Sequence, residues 1–179
     1  MTTLAPATPG MNNELAHART AIRAATGALT VEQIAGAVPG RWSIAQILEH
    51  LLLGYQANVA ALEKALAKGI TLAKAPTRRQ RLFRLVVIDL GYFPRAEAPE
   101  SVRPRGSVEA ERIREAIDAA LVRLDASLDR AAERFGEATP LLRHPYFAAL
   151  TVRQWRKFHR RHTMHHLRQV RARARIVAR

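Results

Sequence analysis

Apolar positions recur along this chain at helical spacing. From Ile44 to Leu62 they fall on Ile44, Ile47, Leu48, Leu51, Tyr55, Val59 and Leu62, one wide stripe whose helix closes at Gly69. A second stripe, Ile113, Ile117, Leu121, Leu124 and Leu128, lies in a helix that runs from a cap at Ser107 to Phe135 and stops at Gly136. An Ala-rich stretch with Leu15 and Ile22 predicts a first helix from Met11 to about Thr26. The last helix opens at Thr151, and no Gly or Pro follows Pro145 to break it. Its inner face is unlike the others. It carries Trp155, Phe158, His159, His162, His166, Gln169 and Val170, with His165 at the edge and Arg153, Lys157, Arg160, Arg168 and Arg171 opposite.

The helix starts are written in the same way. Ser43 with Gln46, and Thr151 with Gln154, have the capping-box spacing, and Trp42 precedes the first pair as a hydrophobic staple. Thr30 with Gln33 caps a short turn through Ala37, ahead of a break at Pro39-Gly40. Residues 70–77 read as a linker. Arg78 to Phe93 begins basic and becomes apolar, as a buried helix or a strand; Leu82, Leu85, Val86, Asp89, Leu90 and Phe93 fit one helical face, and no second strand-like run is present to pair with. Pro94 to Gly106 is an ordered loop with prolines at 94, 99 and 104, and residues 137–150 form another.

These elements predict an all-α protein, a four-helix bundle with one extra short helix, folded as a single domain over residues 1–179 with residues 1–10 as a mobile lead. The long connection between the second and third long helices permits a crossover in place of a hairpin.

Composition narrows the chemistry. Hydrophobic residues make up 48% of the 179, as in a globular chain. With no cysteine, thiolate zinc sites, a cysteine nucleophile and disulfides are excluded, leaving histidine and carboxylate as metal ligands. The N-terminus has no signal-peptide pattern, and no apolar run approaches the ~20 residues of a membrane span. The expected protein is cytoplasmic, with no membrane partner. The net charge of +14 is concentrated late, since no Asp or Glu follows Glu137. Such a helix can bind nucleic acid or acidic lipid headgroups. The basic residues alternate with a patterned inner face, so a solvated surface is the reading preferred over a nucleic-acid partner.

Burying unpartnered imidazoles is costly, roughly 2–7 kcal/mol against an apolar reference, so several on one stripe imply a shared partner. His162 and His166 lie four residues apart, which lets one helix give two ligands to one ion. His50 is the remaining histidine that borders a core stripe on another long helix. Three imidazoles leave coordination positions open, the pattern of a catalytic site. Gln169 is placed to orient a ligand or a metal-bound water, or to make an ordinary buried amide bond. Asp89 is placed as an outer acceptor for a ligand imidazole, in a salt bridge to Arg81 or Arg84, or as a local helix cap. His159 reads as a core-edge residue in preference to one lining the pocket, His165 as a donor to a neighbouring helix or carbonyl, and His144 as fixing its loop in preference to binding metal.

Trp42-Ser43 followed by His50, then His144-Pro145-x-Phe147, Leu150-Thr151, Trp155, Phe158 and His162-x-x-His165-His166-x-x-Gln169, resembles the DinB/YfiT-like superfamily of bacterial four-helix proteins. The resemblance covers most of the chain from Trp42, with Ala148 where a glycine is expected. It implies an up-down-down-up bundle and a metal held by His50, His162 and His166. It also implies activities like those of its relatives: thiol transferases using bacillithiol or mycothiol, a thiol-dependent maleylpyruvate isomerase, and metal-dependent hydrolases.

The expected function is therefore a metal-dependent enzyme with a three-His divalent site, zinc or nickel, acting on a small-molecule substrate as a thiol-dependent S-transferase or hydrolase. A low-molecular-weight thiol is the accompanying cofactor. No Asp or Glu is placed as an obvious general base, so the metal-bound water or thiol fills that role. The alternatives are a non-enzymatic metal-binding or basic-surface module, and a metal-free homodimer in which the histidines satisfy one another.

Overall fold

The computed structural model describes residues 10–71, 77–93, 97–106, 108–144 and 148–178. Six helices dominate it: α1 (Asn13–Thr26), α2 (Val31–Ala35), α3 (Ile44–Lys68), α4 (Arg78–Arg84), α5 (Ile113–Phe135) and α6 (Val152–Val177). Capping boxes start α2, α3, α4 and α6, with Thr30, Ser43, Thr77 and Thr151 each accepting from the backbone three residues on. α3 ends on Gly69 at φ 64°, a left-handed position that a residue with a Cβ would strain.

The polar ties between helices give their directions. Along α1 and α5, the Asn12 N–H donates to Asp125 at 2.9 Å, Arg19 and Arg23 pair with Asp118, and Arg114 donates to the Thr26 carbonyl at 3.2 Å. Residue numbers rise on one helix as they fall on the other, so the two are antiparallel. Along α3 and α6, Arg173 reaches the Trp42 carbonyl at 3.1 Å and the Tyr55 hydroxyl meets that of Thr163 at 2.5 Å, again antiparallel. Glu14 at the start of α1 pairs with Arg160, while Val177 packs on Gly36 beyond the end of α1, so α1 and α6 run together. The bundle is up-down-down-up through α1, α3, α5 and α6, and residues 69–112 make the crossover.

The core forms as the stripes predict. Leu15 and Ile22 of α1, Ile44 to Leu62 of α3 and Ile113 to Leu128 of α5 are buried together with Leu167 and Val170 of α6. Burial of roughly 1.5–3 kcal/mol per large apolar side chain makes this the main stabilising term. Among the described residues no helix is long and apolar enough to cross a membrane.

Four readings change. α5 begins at Ile113, not near 107; Arg112 at its start supplies no side-chain cap, and Ser107 lies outside the described residues. A two-stranded antiparallel hairpin, β1 (Leu142–His144) with β2 (Ala148–Leu150), stands where a loop was expected. Pro145 to Phe147 within it, Pro94 in the earlier loop and residues 1–9 of the lead lie outside the described residues. The segment after α4 continues as a π-helical turn, Leu85–Asp89, in which the Leu90 N–H reaches the Leu85 carbonyl at 3.0 Å. The extra residue in that turn rotates the face. Val87 and Ile88 are buried, whereas Leu82, Leu85 and Leu90 point to solvent.

Candidate metal centre

α3 and α6 lie antiparallel, so the first third of α3 faces the middle of α6. That register brings His50 to His162 and His166. The rings of His50 and His166 are 4.7 Å apart by centroid, and those of His50 and His162 5.3 Å. One ring nitrogen from each of the three lies within 4.8 Å of the others. His50 and His166 are buried and His162 is half-buried.

Hydrogen bonds at the far ring nitrogens decide which nitrogens face the centre. His50 Nδ1 donates to the Val102 carbonyl at 2.8 Å, and His166 Nδ1 donates to Gln169 Oε1 at 3.2 Å. Each imidazole so held presents an Nε2 lone pair inward. The His162 and His166 Nε2 atoms stand 3.0 Å apart. Two lone pairs repel at that distance unless a proton or a cation lies between them. Nitrogens at ~2.0–2.1 Å from one ion are themselves about 3 Å apart, so the donor set fits a divalent metal.

Electrostatics agree with a neutral, ligand-ready trio. Burial lowers the pKa of His166 to about 3, with help from the neighbouring His50 and His165. Burial, then the adjacent histidines, pushes His162 well below the usual imidazole range. Burial also lowers His50, partly offset by its bond to Val102. Metal binding needs the unprotonated ring, so these environments favour it.

Gln169 is engaged on both sides, for its Nε2 donates to His165 Nε2 at 3.3 Å. His165 therefore accepts from its own helix, where donation to a neighbouring element was expected. Asp89 is no imidazole acceptor: its carboxylate pairs with Lys157, not Arg81 or Arg84, and its carbonyl takes Arg161. Trp42, the expected staple, tilts over His50 at 5.3 Å between ring centroids.

The trio opens on a cavity of about 960 Å³, walled by Trp42, Phe93, Trp155 and Phe158, with Phe83 and Val87 of the α4 segment as its cover. Arg103 and Arg143 line its exposed rim. Deeper in the wall, His159 is 3% exposed and, among the described residues, neither ring nitrogen finds a hydrogen-bond partner; Trp155 Nε1 and Asn58 Oδ1 share that condition. Burial lowers His159 to about 3, so it is neutral. His144 packs against Phe158 at 4.7 Å and lines the same space.

Several of these residues were not singled out from the pattern. Asn58 carried a signal, being an amide three residues after Tyr55 on the α3 core stripe. Val102 carried none, because it acts through its carbonyl. Glu49 of α3 is buried and accepts the Gly106 N–H at 2.8 Å, pinning the loop that presents Val102.

A family model described as the DinB superfamily matches residues 14–170. No curated protein and no solved structure matches the chain.

Proposed function

The chain belongs to the DinB superfamily, and from that premise we propose that it is a metal-dependent enzyme, a thiol-dependent S-transferase or a hydrolase acting on a small molecule. His50, His162 and His166 hold a divalent ion, zinc or nickel. The observation that carries the reading is the pair of inward Nε2 atoms 3.0 Å apart, with His50 beside them and the outer nitrogens of His50 and His166 already engaged.

A divalent ion bound there lowers the pKa of a coordinated water or thiol into the neutral range. The protein's own groups do the rest. Val102 and Gln169 hold two imidazoles in the ligating tautomer. Trp42, Phe93 and Phe158 keep bulk water from the reacting end. Arg143 at the rim favours reactants that carry carboxylates, while Arg103 beside it is paired with Glu97 and Glu100. The cavity, at about 960 Å³, is at the upper end of the ~300–1,000 Å³ usual for one small ligand, which supports a reaction between two partners such as a thiol and its acceptor.

The test begins with elemental analysis of protein purified without a polyhistidine tag. One divalent ion per chain is expected. Removal by chelation then abolishes thiol consumption with an electrophilic acceptor, and restoring the ion recovers it. A chain that takes up no stoichiometric divalent metal would sink the proposal.

A further inference from the structure

The segment from Arg78 to Tyr92 has two faces with different partners. Phe83 and Val87 point inward and line the cavity. Outward stand Leu82, 64% exposed, Leu85, 48%, Leu90, 70%, and Tyr92, 66%. These are four of the seven large exposed hydrophobics among the described residues, gathered within eleven positions of one another. Arg78, Arg79 and Arg81 are exposed beside them and Arg84 is half-buried. None of the four arginines has an ion-pair partner among the described residues. The one acid of the segment, Asp89, is neutralised by Lys157.

Leaving Leu82, Leu85, Leu90 and Tyr92 in water is unfavourable, so something apolar should cover them. The arginines select its charge. A second copy docking face to face would bring eight arginines together without counter-charge, which argues against self-association. A nucleic acid would satisfy the arginines and leave the leucines wet. An anionic bilayer surface satisfies both: headgroup phosphates take the guanidinium groups while the leucines and the tyrosine ring enter the boundary with the acyl chains.

We propose that residues 78–92 form an interfacial docking surface for anionic lipid. This is binding at a membrane surface, distinct from a span, and it departs from the expectation of no membrane partner. It is independent of the metal reading. Its consequence for that site is positional: docking sets the cover of the cavity, through Phe83 and Val87, against the bilayer, where apolar or amphiphilic substrates concentrate.

The experiment is co-sedimentation of the full chain with vesicles of phosphatidylcholine alone and of phosphatidylcholine mixed with phosphatidylglycerol. Binding to the mixed vesicles only is expected, weakening as salt rises. Arg78→Gln with Arg79→Gln should weaken it about tenfold or more, since each cation near an anionic surface contributes appreciably. Leu82→Ser with Leu85→Ser should weaken it comparably while circular dichroism and metal content stay unchanged. The proposal is overturned by no difference between the two vesicle types, or by undiminished binding in the leucine variant. It is equally overturned if the leucine pair instead abolishes a concentration-dependent dimer, or if an oligonucleotide duplex binds more tightly than the mixed vesicles and does so without the leucines.

Discussion

The imidazoles of His162 and His166 meet at 90°, one turn apart on α6, with their Nε2 atoms 3.0 Å apart. Neither ring can be removed without leaving the other's inward nitrogen facing an incomplete ligand set. His166→Ala is expected to abolish divalent metal uptake while far-UV circular dichroism remains that of the folded bundle. The apolar stripes of α1, α3, α5 and α6 hold the fold without the ion. Metal content and helicity measured on one sample decide it; joint loss would make the site structural.

Glu49 acts on the same centre at a distance. Its carboxylate holds the Gly106 N–H, and the loop so pinned supplies the Val102 carbonyl to His50. Glu49→Ala should cost about 1.5–3 kcal/mol through loss of the charge-assisted, part-buried hydrogen bond from the Gly106 N–H. It should also weaken metal affinity about 10–100-fold, as loss of an outer support typically does. A competition titration with a chromophoric chelator reads the affinity. Unchanged affinity together with lowered stability would show that the loop does not orient His50.

The buried histidines make stability depend on pH. His144, His159 and His166 each have a folded pKa near 3, set chiefly by burial, against about 6.5 when unfolded. The unfolded chain therefore binds more protons between those values. Their contribution is fully present above about pH 6.5 and is lost as pH falls toward about 3, at about 1.4 kcal/mol per pH unit for each group. His159→Phe should lower the slope of stability against pH by about one proton and leave stability at pH 7.5 equal or higher, because two unpartnered nitrogens are removed. Urea unfolding at a series of pH values on metal-free protein measures it.

The arginines of α6 are not equivalent. Arg156 is buried and faces Asp125 at 3.7 Å, Glu137 at 3.5 Å and Asp129. Arg156→Ala should destabilise by about 3–5 kcal/mol, since it leaves buried acid without its cation. Arg153, Lys157 and Arg160 pair with Glu137, Asp89 and Glu14, so the basic face is only partly the free solvated surface that alternation suggested. Arg168 and Arg171 are exposed and have no ion pair among the described residues. Changing both to Gln should shift stability by no more than about 0.5 kcal/mol. Thermal unfolding of the two variants side by side checks the contrast.

The sequence by itself determined the helices, because periodicity and caps are local: Ser43 with Gln46 and Thr151 with Gln154 start α3 and α6 where the spacing says. It also determined the candidate ligands, since imidazoles on a stripe that should be apolar stand out without any partner being known. Tertiary structure decided what those residues meet. The antiparallel register of α3 on α6 sets His50 beside His162 and His166, and a backbone carbonyl at Val102, invisible in the pattern, fixes its tautomer. It decided that Asp89 pairs with Lys157 and that Glu49 is buried. It also reversed the reading of residues 82–90. Helical periodicity shows which side chains share a face, but a π-helical turn shifts that face, and only packing against the bundle says which side of it is inside.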